Sequence, residues 1–276
     1  MSLISIVIVA LIFLFLFREG MPILETVSLT DFLFGELWYP TDDPADFGIW
    51  PMIVGSVVVT AMASFFAIPI GILSAVYVSE IAKHKVKEII KPVIELLASI
   101  PSVVIGFFGM VVMAPFLQDY FDIPVGLNVF NASLMLALMA VPTISSISED
   151  ALNAVPRSLR EASYALGANR WETIIKVVIP AGLSGISTAV ILGMARAIGE
   201  TMVVLMVAGG AAAVPESIFD SCRPLPASIA AEMAEAPYRS DHYYALFATG
   251  IVLLIITFIV NAAADYLSNK YKMTEN

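Results

Sequence analysis

The sequence predicts an all-α membrane protein that crosses the bilayer six times. Of its 276 residues 59% are hydrophobic and only 14% charged, with a mean hydropathy of +0.89. A soluble domain sits nearer half apolar and a quarter charged. Six apolar stretches, at 1–17, 51–79, 93–116, 131–148, 182–209 and 244–267, can each cross a hydrocarbon core that needs ~20 helical residues. The basic residues then fall heavily on one side of those stretches. Lys83, Lys85, Lys87 and Lys91 lie between the second and third, Arg157, Arg160, Arg170 and Lys176 between the fourth and fifth, and Lys270 and Lys272 in the tail. The other side holds only Arg18, Arg223 and Arg239, so the positive-inside rule places both termini in the cytoplasm.

The first stretch is short and has neither a basic start nor the small-residue cleavage site of a signal peptide. It reads as a retained helix whose natural start lies upstream of Met1. The expected organisation is an N-terminal helix and extracytoplasmic loop over 1–50, a transmembrane core over 51–268 and a cytoplasmic tail over 269–276. Asp31, Glu36, Asp42, Asp43 and Asp46 make the first outer loop acidic, and Asp42-Asp43-Pro44 reads as a solvated turn. His84 and His242 fall on opposite sides, so they cannot share a metal, and both are assigned to the surface. A single cysteine, Cys222, excludes an internal disulfide and a cysteine-based zinc site. No metal or cofactor is expected.

Other function classes lack their signatures. There is no basic stripe for nucleic acid, no phosphate-binding loop of the G-x-x-x-x-G-K-[ST] type, and no nucleophile elbow, zinc helix or dinucleotide fingerprint. The chain is expected not to be an enzyme, so any ATP it uses is hydrolysed by another subunit.

The loop from Glu161 to Pro180 is distinctive. Ala162, Ala165 and Leu166 fall at i, i+3, i+4, an apolar stripe on a short amphipathic helix. Gly167 suits the left-handed position just past a helix end, and a second helix is expected to end before Pro180. By itself this describes a surface helix between two spans. Its spacing, with Glu161, Ala162, Gly167 and Pro180 in register, resembles the signature of binding-protein-dependent ABC importer permeases. The resemblance implies a type I (MetI-like) permease core in which Glu161, Ala162, Leu166, Gly167 and Pro180 belong to the segment that docks on a cytoplasmic ATPase dimer. It extends over nearly the whole chain. Phe34-Gly35 with Trp38 and Pro40, Ile100-Pro101-Ser102-Val103-Val104-Ile105-Gly106, Arg196-Ala197-Ile198-Gly199-Glu200-Thr201-Met202, and Leu225 to Glu232 followed by Tyr243 to Phe247 look like phosphate permeases of the PstC type. That likeness implies a second, PstA-type permease and an extracytoplasmic phosphate-binding protein as partners, with membrane lipid around them, in the inner membrane.

Arg196 sits near the middle of the fifth stretch, where a lone arginine costs ~2.5–3.5 kcal/mol or more. Glu200, four residues on, is expected to meet it on one helix face. Two readings stand: a buried pair that only orients the helix, or an arginine on the anion pathway, its planar fork of donors matching phosphate oxygens. The resemblance favours the second. Pro69, Pro101 and Pro142 lie inside expected spans, and Pro101 with Ser102 is the candidate pathway kink. The segment from Val214 to Tyr238 reads either as a helix in the outer membrane interface or as a cap over the pathway. The reading is thus the permease half of an ATP-driven phosphate importer. Its alternatives are the same architecture for molybdate, sulfate or phosphonate, or a secondary transporter without ATP, which should show internal repeats.

Overall fold

The computed structural model describes residues 2–271, and the side chains of 4–263, 265 and 266. Of the expected tail over 269–276, residues 272–276 lie outside the described residues. Six helical segments are long and apolar enough to span a membrane: span one, Ile4–Thr26; span two, Trp50–Ile81; span three, Ser102–Phe121; span four, Val129–Asn153; span five, Arg170–Ile198; and span six, Asp241–Ala263. The expected count is right. Several boundaries are not: span one runs on to Thr26 and span five starts at Arg170. The third stretch begins at Ser102, because His84–Ser99 is a separate helix and Ile100 before Pro101 is extended (φ −63°, ψ 128°). A proline drives its predecessor out of the helical region. The fifth stretch is no continuous helix to 209: it ends at Ile198, and a short helix, Met202–Val207, follows after a break.

The chain forms two compact units. The first comprises 1–61, 102–135 and 199–258. Its core is built like that of a soluble domain. Ile23, Phe32, Trp38, Phe47, Ile49, Met52, Leu225, Ala245 and Leu246 are all buried together. The loop between spans one and two belongs to this core. Ser28 caps helix Leu29–Phe34 by accepting from the Asp31 N–H (3.1 Å), and a two-stranded antiparallel pair joins Trp38–Tyr39 to Asp46–Phe47. Trp38 and Phe47 face each other in register and point inward, while Asp42 and Asp43 stay exposed in the turn between the strands. Burying four aromatic or aliphatic side chains of this loop contributes about 1.5–3 kcal/mol each.

The second unit comprises 62–101, 136–198 and 259–276. Here large side chains give way to small ones. Ile144 of span four packs between Gly71 of span two and Gly193 of span five, and a methyl at either glycine would approach it to 2.7 or 2.5 Å. Ala67, Ala137 and Ala140 complete the contact. Lipid tails are as apolar as the helices, so spans associate through close van der Waals packing, and small residues permit it. Toward one end of the unit Ala75, Leu152, Val155, Ile174, Val178 and Ile186 make a second core.

Candidate functional site

The loop between spans four and five opens with helix Arg157–Ala165, and Gly167 follows it at φ +85°. That angle is costly for any residue with a Cβ, and nothing lies within 4 Å of where one would be. Gly167 is therefore required by the turn and not by packing. Asn169 then opens the next helical segment with a reciprocal capping box. It accepts from the Glu172 N–H (2.9 Å), while the Glu172 carboxylate accepts from the Asn169 N–H (2.9 Å). Ser163 and Thr173 share a buried hydroxyl contact of 2.9 Å that closes the two helices on each other.

The expected apolar stripe of this helix faces outward. Glu161, Ala162 and Ala165 are exposed, Leu166 is 89% exposed and Trp171 60%. Large apolar side chains displayed beyond a well-capped turn mark an interaction surface. Pro180 neither stops nor kinks the segment sharply. The preceding turn, Ile174–Val178, widens to π geometry, and the helix runs on through the proline to Ile198. The wider turn moves backbone bonding away from the carbonyl the ring would strike.

Arg160 ties this loop to the spans. Its guanidinium donates to the carbonyls of Val155 (2.6 Å) and Leu152 (2.9 Å), and to the Glu80 carboxylate (2.7 Å). It thereby joins the Val155 N–H on the Leu152 carbonyl, meets the Val155 carbonyl just past span four and pairs with the last turn of span two. Both charged side chains are less than one-fifth exposed. Arg170 reaches the Glu80 carbonyl, and Lys87 donates to the Ser79 carbonyl at 2.7 Å. Lys91 lies 3.4 Å from Glu149 and 3.6 Å from Asp150. Desolvation lowers its pKa, but the two carboxylates together outweigh it and leave the value raised. Lys91 is thus charged at neutral pH, and the stability this contact adds is lost only as the pH climbs through and above the ordinary lysine range.

The second candidate region departs from expectation. Arg196 is exposed in the last turn of span five, and Glu200 lies half-buried beyond the helix end. Because the helix stops at Ile198, the i, i+4 relation between the two does not hold. Neither forms an ion pair among the described residues. A cation in a last turn is favoured by the helix dipole, and an unpaired guanidinium keeps its donors free. Ser102, half-buried, is the first residue of span three and follows a break at Pro101 where a kink was expected.

One polar centre is absent from the sequence reading. Glu232, at the end of helix Leu225–Glu232, accepts from Trp38 Nε1 (2.9 Å), lies 2.8 Å from His242 Nε2 and pairs with Arg223. His242 is therefore buried, not on the surface, while His84 is exposed and pairs only with Glu88. The first turn of that helix, Leu225 to Ser228, is buried, with Leu225 in the core of the first unit. No signal local to any one of these four residues could have joined them, since their sequence separations reach 194.

Comparisons with known proteins bear on the family and the fold. Residues 67–273 match the family described as "Binding-protein-dependent transport system inner membrane component". A probable ABC transporter permease protein YqgH of Bacillus subtilis is 41% identical over 99% of this chain and 89% of its own length. The phosphate transport system permease protein PstC of Mesorhizobium japonicum is 35% identical over 91% of this chain and 82% of its own. Among solved structures, a chain of a bacterial ABC transporter that imports alginate matches with a TM-score of 0.68 at 14% identity, over 99% of this chain and 95% of that one. A chain of the MetNI methionine transporter matches with 0.64 at 22%, over 79% and 94%. These two share the fold.

Arg160→Gln should cost about 3 kcal/mol, the low end for breaking a buried ion pair, because both side chains keep some solvent. A lower midpoint in detergent melting, with Glu80→Gln in the Arg160→Gln background restoring only part of it, is expected. Full restoration would mean that the Val155 and Leu152 carbonyls do not need Arg160.

Proposed function

The chain belongs to the family of inner membrane components of binding-protein-dependent transport systems, a multi-pass membrane family, and on that premise we propose that it is the permease subunit of an ATP-driven importer of inorganic phosphate. The observation that carries the substrate is that PstC phosphate permeases align with about nine-tenths of this chain at 31–35% identity. A separate ATPase pair hydrolyses ATP in the cytoplasm, an extracytoplasmic protein delivers phosphate, and a second, PstA-type permease completes the pathway. The permease domain is taken as 51–268. Another oxyanion is the alternative, since the name of the Bacillus subtilis relative carries no substrate.

In this reading Leu166 and Trp171 seat in the ATPase, with Glu161, Ala162, Gly167 and Pro180 shaping the segment. Movement of the seated loop passes through Arg160 to Glu80, so the ends of spans two and four are displaced with it. Arg196, free of a carboxylate partner, offers its guanidinium fork to the anion, and Ser102 and Glu200 belong to the same pathway. Glu200 disfavours tight binding of a dianion, which helps release.

The reading is tested by reconstituting the chain with its partners and following phosphate uptake against sulfate and molybdate. Phosphate should be carried, ATP-dependently; preferential transport of either rival would overturn the substrate. In the same vesicles Gly167→Val should insert normally yet uncouple ATP hydrolysis from uptake, since only the backbone angle is disturbed.

Arg196→Gln is expected to change melting by no more than about 0.5 kcal/mol, as for an exposed substitution. It should raise the phosphate concentration for half-maximal uptake roughly ten- to hundredfold, the worth of a charged hydrogen bond. Normal uptake by this variant would return Arg196 to a structural role.

Orientation is tested by single cysteines. Cys222 is fully buried and its thiol is pushed up to about 12 by desolvation, so it should stay silent to thiol reagents. Over that background Lys85→Cys should react only from the cytoplasmic side and Asp43→Cys only from outside.

A further inference from the structure

Helix His84–Ser99 joins span two to span three and is buried at no position. Val86, Lys87, Ile90, Lys91, Ile94 and Ala98 are half-buried, and Lys87 and Lys91 reach the ends of spans two and four. The remaining surface divides sharply. Ile89, Val93 and Leu96, at i, i+4 and i+7, form one stripe exposed by 68, 50 and 66%. His84, Glu88, Glu95 and Ser99 form another, also exposed. At ~100° per residue the two stripes lie about 115° apart, and the side that meets the protein lies across the wider arc, away from both.

A helix in water would not display such an apolar stripe, and a helix crossing the bilayer would not carry His84, Glu88 and Glu95 along its length. The connections narrow the choice. Only Ala82 and Lys83 separate this helix from the end of span two at Ile81, and only Ile100 and Pro101 from the start of span three. At ~3.5 Å per residue neither end can lie more than about 10 Å from the spans. Beside it, an apolar groove of about 390 Å³ is lined by Leu73, Ser74, Tyr77, Val78, Ile90 and Ile94.

We propose that His84–Ser99 is an interfacial lipid-binding helix. It lies in the plane of the headgroup layer, docked sideways against spans two and four, with Ile89, Val93 and Leu96 among the acyl chains and Glu88 and Glu95 in water. Lys83 and Lys85, both exposed and without an ion-pair partner among the described residues, meet anionic lipid phosphates at its N-terminal end. The groove holds an acyl chain. The choice of the cytoplasmic leaflet rests on the orientation proposed above; the depth of the helix does not.

The test places a nitroxide singly at positions 88, 89, 93, 95 and 96 of the assembled transporter, in nanodiscs of phosphatidylethanolamine and phosphatidylglycerol. Collision rates with oxygen and with a water-soluble nickel chelate are then compared. Oxygen should dominate at 89, 93 and 96, and nickel at 88 and 95. Labels at 89, 93 and 96 shielded from both reagents would show a protein partner on the stripe and overturn the proposal. Nickel dominance there would place the stripe in water, and oxygen dominance also at 88 and 95 would place the helix across the bilayer; either would overturn it too. A reversed orientation would leave the pattern intact and change only the side from which Lys85→Cys reacts.

Discussion

The bond on which the junction of spans two and four with their loop depends is the one between Arg160 and Glu80. A helix that ends in the low-dielectric margin of a bilayer leaves bare carbonyls, and each costs free energy if unmet. Arg160 meets the Val155 carbonyl just past span four and adds to the Val155 N–H on that of Leu152, while its charge is balanced by Glu80 of span two. One planar side chain thus caps a helix, neutralises a carboxylate and holds an amphipathic loop in place. Lysine could not do the same, because its ammonium is a point charge without a rigid fork. Position matters as much as chemistry. Arg160 lies on helix Arg157–Ala165, so whatever displaces Leu166 and Trp171 displaces the cap as well.

The two units are stabilised by different means. In 1–61, 102–135 and 199–258 the buried residues are large and include Phe32, Trp38 and Phe47, with Glu232 satisfying Trp38, His242 and Arg223 at the edge. That is the construction of a soluble core, where burial from water drives assembly. In the other unit the tight contacts are Gly71, Gly193 and Ala140 around Ile144, where lipid would compete equally for apolar surface and only closeness of fit decides. Substitutions that enlarge a residue should therefore be worse tolerated around Ile144 than around Met52.

Much of this was legible in the chain. Six spans follow from hydropathy because long, continuous apolar runs satisfy their backbone in lipid as helices, and Gly167 follows from turn chemistry. The Asn169–Glu172 capping box is absent from the sequence reading and emerges only in the structure. What else escaped detection was tertiary. Hydropathy reads 93–116 as a span, yet Lys91 with Glu149 and the extended Ile100 detach His84–Ser99 from span three. Arg196 seemed paired with Glu200 because a helix was assumed to continue, whereas Gly199 to Thr201 interrupt it without any proline to announce the break. His242 looked like a surface residue because its partner Glu232 is ten residues away across an irregular turn.

The prolines show why such breaks resist prediction from residue type. Pro69 and Pro142 sit inside continuous α-helices. Pro115 and Pro180 each follow a π turn by two residues, Gly109–Met113 and Ile174–Val178, with the intervening amide bonded five residues back. A wide turn at that offset draws the backbone away from the ring, so the helix survives. Pro101 alone of these ends one: Ser99 turns its hydroxyl onto the Leu96 carbonyl (2.7 Å), Ile100 extends, and a new helix starts at Ser102. The difference is set by what precedes the proline. Ahead of Pro115 and Pro180 stand apolar runs, Gly109–Met113 and Ile174–Val178, the second interrupted only by Lys176, which favour a distorted but unbroken helix in lipid. Ahead of Pro101 stands a helix already committed to two polar contacts and a surface of its own, for which stopping costs less than bending.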